Sequence, residues 1–206
     1  LGGASAGFVD LTTGDFDKDG NLDIAQIKSG SAMLEILPGV GTGGFSSPQG
    51  YSLQRGGRQI KAADIKGDGN LDLIKSESGD SLSVLTGNGS VFYLPEKSYQ
   101  TVIGANVLNV GDMNGDGIAD VIVTDNHYSQ LNVLLGDASG NLIAQPASNG
   151  TVGTPREIVV EDFDGDGKID LAVLSAESGM ESIVIMNNKS AYISAASITT
   201  DQTPVT

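Results

Sequence analysis

Four times along the chain, apolar and polar residues alternate, break into an acidic loop, and give way to a denser apolar run. The alternation places Leu11, Ile60, Leu108 and Ile158 four residues before each loop, and Thr13, Ala62, Val110 and Val160 two before it. A period of two is the pattern of a strand. The runs after the loops, LDIAQI, LDLI, ADVIV and IDLAVL, suit strands covered on both faces. A short polar turn follows, as in SGDS (78–81) or NHYSQ (126–130). A third strand comes next, at LEIL (34–37), LSVL (82–85), LNVL (131–134) and IVIM (183–186). Gly- or Asn-rich turns then lead to a fourth, less regular strand, with Phe45, Val91, Leu142 or Tyr192 near its start.

The loops begin at Asp15, Asp64, Asp112 and Asp162, in steps of 49, 48 and 50 residues. A near-constant period of this size means a repeat architecture. A lone four-stranded antiparallel sheet cannot bury both faces. Such sheets stacked face to face around an axis form a β-propeller, each blade covering its neighbour. The expected fold is therefore all-β, with blades near 5–54, 55–102, 103–152 and 153–200. A β-sandwich would not need the period. The 29 glycines, with frequent Ser, Thr, Asn and Val, argue against long helices. No run of 18 apolar residues exists to span a membrane as a helix.

The loops read DFDKDGNLD (15–23), DIKGDGNLD (64–72), DMNGDGIAD (112–120) and DFDGDGKID (162–170). They hold 14 of the 26 acidic residues in a chain of net charge −15. An acidic surface repels nucleic acid and anionic lipid, so neither is an expected partner. Charge gathered at four fixed places is a site pattern. A hard divalent cation takes six to eight oxygens, and flexible carboxylate-rich loops supply them. Positions one, three, five and nine would offer side chains and position seven its carbonyl. A glycine at position six allows the sharp turn.

The expected calcium ligands are Asp15, Asp17, Asp19, Asn21 and Asp23 in the first loop, and Asp112, Asn114, Asp116, Ile118 and Asp120 in the third. The fourth offers Asp162, Asp164, Asp166, Lys168 and Asp170, with Asn21, Ile118 and Lys168 contributing carbonyls. The second has Asp64, Asp68, Asn70 and Asp72, but Lys66 stands at position three. An ammonium cannot ligate calcium and can replace its charge, so this site is expected to be weak or empty. An EF-hand needs a bidentate Glu at position twelve and flanking helices. Position twelve here is Gln26, Lys75, Val123 or Val173, and the flanks read as strands.

D-x-[DN]-x-D-G-x-x-D between two strands, returning at this period, resembles the FG-GAP/VCBS repeat. VGDMNGDGIADVIV and VEDFDGDGKIDLAVL carry the likeness most closely, and it extends over about 10–206. The resemblance implies calcium-binding propeller blades of the kind found in integrin α-chains, lectins and bacterial surface proteins. It places calcium in the loop joining the first two strands of a blade. Propellers of that family close with about seven blades, so four repeats imply part of a larger ring or a self-assembling arc. The chain begins with Leu and shows no targeting segment, which suits a processed chain or a fragment.

Catalysis has little support. GASAG at 3–7 opens the chain rather than following a strand, which disfavours Ser5 as a nucleophile. GVGTGG at 39–44 runs into FSSPQ, not a helix, so it offers no phosphate cradle. There is no Cys, and the one His, His127, falls in a turn. The expected function is a non-catalytic, calcium-stabilised extracellular or cell-surface module that binds a glycan or a protein. Its contact face would lie opposite the acidic loops, with Glu77, Asp80, Asn126, His127, Tyr128, Arg55, Arg58 and Arg156. The alternatives are a spacer self-associating through blade ends and an accessory domain of a larger secreted enzyme. Sequons stand at Asn88, Asn149 and Asn188.

Overall fold

The computed structural model describes residues 8–28, 32–77, 81–91, 93, 95–101, 105, 107–124, 130–146, 154–177, 180–189 and 198–201. They form sixteen strands in four antiparallel sheets, each of four strands in chain order. Sheet one holds β1 (Phe8–Gly14), β2 (Asp23–Lys28), β3 (Met33–Leu37) and β4 (Gln49–Ser52). Sheet two holds β5 (Gly57–Ala63), β6 (Asp72–Glu77), β7 (Ser81–Leu85) and β8 (Lys97–Gln100). Sheet three holds β9 (Val107–Gly111), β10 (Asp120–Thr124), β11 (Leu131–Gly136) and β12 (Leu142–Ala144). Sheet four holds β13 (Thr154–Glu161), β14 (Asp170–Glu177), β15 (Met180–Asn188) and β16 (Ile198–Asp201). Among the described residues there is no helix, and none long and apolar enough to cross a membrane.

One register recurs. The residue before each acidic loop pairs with the loop's ninth residue: Gly14 with Asp23, Ala63 with Asp72, Gly111 with Asp120, Glu161 with Asp170. Period two then sends alternate side chains to opposite faces. In sheets two and three one face meets the sheet before and the other the sheet after; sheets one and four each pack through one face. Phe16, Ile27 and Leu34 of sheet one pack with Ile60 and Leu73 of sheet two. Ile65, Ile74 and Leu82 of sheet two meet Leu108 and Val121 of sheet three. Met113, Ile122 and Val133 of sheet three meet Ile158 and Leu171 of sheet four. Burying one such side chain contributes about 1.5–3 kcal/mol. The architecture is propeller-like, with blades stacked in sequence order.

Hydrogen bonds cross every seam between first strands. The Ile60 amide donates to Asp10 Oδ2 at 2.8 Å, and the Leu108 amide to Gln59 Oε1 at 2.6 Å. In the third seam Val107 stands at the equivalent place and has no acceptor. Asn109 Nδ2 donates to the Ile158 carbonyl instead, at 2.7 Å.

Two expectations need correction. The fourth strands of sheets one and two start at Gln49 and Lys97, not near Phe45 or Val91. Phe45 and Tyr93 each make an isolated bridge, to Gly39 and Gly87, that closes a wide turn before the strand begins. Tyr192 lies outside the described residues. Glu77, expected on an exposed contact face, is buried. Its carboxylate accepts from Ser81 Oγ at 2.9 Å and lies 3.3 Å from Lys75 Nζ. That ammonium also lies 2.8 Å from Glu96 and donates to the Arg55 carbonyl. A buried ion stays charged only with such compensation.

Candidate metal centres

Each acidic loop is shaped first by its own carboxylates. The position-one aspartate accepts from the amides of residues five and six. Asp15 takes Asp19 and Gly20 at 3.1 and 3.0 Å, and Asp64 takes Asp68 and Gly69 at 3.1 and 2.6 Å. Asp112 and Asp162 repeat this with Asp116, Gly117, Asp166 and Gly167. The position-five carboxylate accepts from residue seven, as from Asn21 at 2.7 Å and Asn70 at 2.9 Å. The chain turns back so sharply because residues four and six are left-handed. Gly20, Gly69, Gly117 and Gly167 have φ between 78° and 88°. Residue four is Gly67, Gly115 or Gly165 in three loops and Lys18, at φ 61°, in the first.

Position nine has a role the sequence did not reveal. Asp23, Asp72, Asp120 and Asp170 are all fully buried. One oxygen accepts from the amide of loop residue two: Phe16, Ile65, Met113 or Phe163, at 2.9–3.2 Å. The other accepts from an amide at the end of the third strand or just past it: Gly39, Gly87, Gly136 or Asn188, at 2.7–2.8 Å. Each thus ties its loop to the third strand of its own sheet. Burial pushes the Asp72 and Asp120 carboxyls up to about 6, against the amides that favour their charge. At Gly39 and Gly87 a Cβ would sit 2.2 and 2.1 Å from the carbonyls of Leu22 and Leu71, so these two places need glycine, whereas the fourth sheet closes the same bond with Asn188.

Positions one, three and five face one another. Asp15, Asp17 and Asp19 each offer an oxygen within 4.8 Å of the others, as do Asp162, Asp164 and Asp166. Oxygens 2.3–2.6 Å from one calcium lie at most about 5 Å apart, so both triads fit such an ion. Asp17 is raised by partial burial and then by the charges of Asp23, Asp19 and Asp15. Asp19 is lowered by hydrogen bonds from Asn21. In the fourth loop Lys168 Nζ lies 3.0 Å from Asp166, and Lys189 pairs with Asp164. The third loop has two carboxylates plus Asn114, whose Nδ2 donates to Asp116 at 3.0 Å. Asn114 Oδ1 accepts from the Asp116 amide at 2.9 Å.

The second loop carries its own cation. Lys66 Nζ sits 2.8 Å from Asp68 Oδ2. The pair raises Lys66 and lowers Asp68 from their ordinary values. Of the expected contact face, Asp80, Asn126, His127 and Tyr128 lie outside the described residues, as do Ser5 and Asn149. Arg55, Arg58 and Arg156 are exposed. Of the sequons, Asn88 is exposed, but Asn188 is buried and donates from Nδ2 to the Met113 carbonyl at 2.8 Å. Its nitrogen is closed to modification in the folded chain.

The sequence model of the FG-GAP-like repeat matches residues 15–74 and 112–173, more than half of the chain. No curated protein matches the chain. Solved structures share its fold at low identity. An Agrocybe aegerita lectin that recognises non-reducing terminal N-acetylglucosamine is 19% identical, with a TM-score of 0.61 over 86% of this chain and 48% of that one. BBS1N, solved in complex with ARL6DN, is 10% identical, with a TM-score of 0.61 over 99% of this chain and 58% of that one. A Bacteroides caccae protein of unknown function is 13% identical, with a TM-score of 0.52 over 91% and 59%. The chain spans about half to three fifths of the length of these structures.

Proposed function

This chain belongs to the FG-GAP-like repeat family, and on that footing we propose that it is a non-catalytic binding module. Its first, third and fourth loops hold calcium, and it recognises a glycan or a protein outside the cell. The observation that carries the reading is the pair of aspartate triads, in each of which three carboxylate oxygens lie within 4.8 Å of one another. Calcium would neutralise carboxylates that the fold has already converged, and binding only the folded state stabilises it. Extracellular modules bind calcium at roughly 10⁻⁴–10⁻³ M, which suits open loops of this kind. The shared fold with an N-acetylglucosamine lectin supports a glycan as the first ligand to test.

The test is a broad glycan array in millimolar calcium and again in chelator, with thermal melts under both conditions. We expect a melting point several degrees lower in chelator, and binding to a defined sugar only in calcium. An unchanged melt would remove the calcium role. A blank array beside a calcium-dependent melt would move the ligand to the protein class.

A further inference from the structure

The first and fourth loops carry the same three converging aspartates, but the cations around them differ. Among the described residues no ammonium or guanidinium pairs with Asp15, Asp17 or Asp19. Asp17 takes the Asp19 amide on Oδ1 at 3.2 Å, and its Oδ2 meets no donor among the described residues. Asp19 takes the backbone amide of Asn21 on Oδ1 and the side-chain amide of Asn21 on Oδ2, both uncharged. The one lysine of that loop, Lys18, lies beside Gly69 and Gly89 of the second sheet.

In the fourth loop the corresponding Oδ2 atoms are held by ammonium groups. Asp166 accepts from the Lys168 amide on Oδ1 at 2.9 Å and from Lys168 Nζ on Oδ2 at 3.0 Å. Asp164 accepts from the Asp166 amide on Oδ1 at 3.2 Å and from Lys189 Nζ on Oδ2. Two of the three carboxylates therefore already hold a positive charge. Both lysines belong to sheet four itself. Lys168 is in the loop, and Lys189 follows Asn188, whose amide latches the position-nine carboxylate of Asp170. Each stands where the other repeats have no cation. Position seven is Asn21, Asn70, Ile118 and Lys168, and the residue after the latching amide is Val40, Asn88, Asp137 and Lys189.

We propose that Lys168 and Lys189 set the calcium affinity of the fourth loop and hold it below that of the first, so that the two loops fill in two steps as calcium rises. This rests on the calcium reading above and adds to it a ranking of the sites and the residues that fix it. To seat among Asp162, Asp164 and Asp166, a dication must share or take oxygens that ammonium groups hold, and must approach two positive charges. Like charges a few ångströms apart repel even in water. In the first loop the same ion meets carboxylates whose neighbours are uncharged amides. The two lysine pairs are partly exposed, and such pairs are individually weak. Together they should lower the affinity of the fourth loop roughly tenfold without closing it. Filling that loop releases Lys189 from Asp164, so the turn after β15 loses its charge partner only at the higher calcium level.

Calcium titration followed by the amide resonances of Gly20 and Gly167 tests this, because each is the position-six glycine of its own loop. We expect Gly20 to reach its midpoint at a calcium concentration roughly tenfold lower than Gly167. Lys168→Asn and Lys189→Met together should bring the Gly167 midpoint to within about threefold of the Gly20 midpoint, which itself stays where it was. Both side chains are partly exposed and outside the core, so the variant should fold, and its melt in chelator checks that. Asn21→Lys, which copies Lys168 into the first loop, should raise the Gly20 midpoint instead. Equal midpoints in the parent chain, or a Gly167 midpoint that the paired substitutions leave unmoved, overturns the proposal while calcium binding stands. Silence of both glycines at millimolar calcium overturns the calcium reading itself, and the ranking with it.

Discussion

The first and second loops differ chiefly in where one lysine stands. DFDKDGNLD has it at position four and DIKGDGNLD at position three. Their frames are the same: position one accepts from residues five and six, position five from residue seven, position nine from residue two and from an amide just past the third strand. In the first loop Lys18 lies beside Gly69 and Gly89 of the second sheet, and three aspartate oxygens converge. In the second, Lys66 pairs with Asp68 at 2.8 Å. The loop is therefore folded by carboxylate–amide bonds, and position three is where the two part: an aspartate in the first, an ammonium in the second.

The comparison breaks if the shared frame is not what folds the loop. Asp72→Ala tests that in the loop where no metal is expected. It would leave the buried amides of Ile65 and Gly87 without acceptors. Each charged hydrogen bond lost costs about 1.5–3 kcal/mol, so the total should be about 3 kcal/mol or more. Urea denaturation should give the same loss in calcium and in chelator. A cost under about 1 kcal/mol would mean that the latch is decoration.

Lys66→Asp sharpens the comparison by making the second loop like the first. Titration calorimetry should count one more calcium per chain. At a calcium level ten times the dissociation constant, the new site adds about 1.4 kcal/mol. In chelator the same variant should be less stable than the parent, because it exchanges an ion pair for a third carboxylate. An unchanged stoichiometry would show that position three does not govern the site.

Much of this was legible in the sequence because period two and a repeated spacing are local signals. Leu11, Ile60, Leu108 and Ile158 mark four first strands, and the nine-residue loops mark the turns after them. What was not legible depends on partners far along the chain. Asp23 reads as a ligand, but the Gly39 amide that holds it lies 16 residues away. Lys75 and Glu77 look like surface residues in a short strand, yet Glu96 and the Arg55 carbonyl bury them as a group. The sequon at Asn188 gives no hint that its amide is spent on Met113, 75 residues earlier. The fourth strands KSYQ and QGYS carry no strong alternation, so Phe45 and Val91 looked like their starts.

The smallest expected effect isolates the lysine that moved. Lys18 is the one described non-glycine residue with positive φ, where the other three loops have glycine. The left-handed conformation costs an ordinary residue about 1–2 kcal/mol. Lys18→Gly removes that strain. It also adds freedom to the unfolded chain, worth about 0.4–1 kcal/mol in the opposite direction, and gives up the contact of the lysine stem with Gly89. The net change should be a gain of roughly 0.5 kcal/mol in chelator. Calcium stoichiometry should stay fixed, since position four supplies no ligand. A loss of stability instead would show that the lysine of the first loop braces the second sheet more than it strains its own turn, so that its place at position four serves the seam as well as leaving the ion site open.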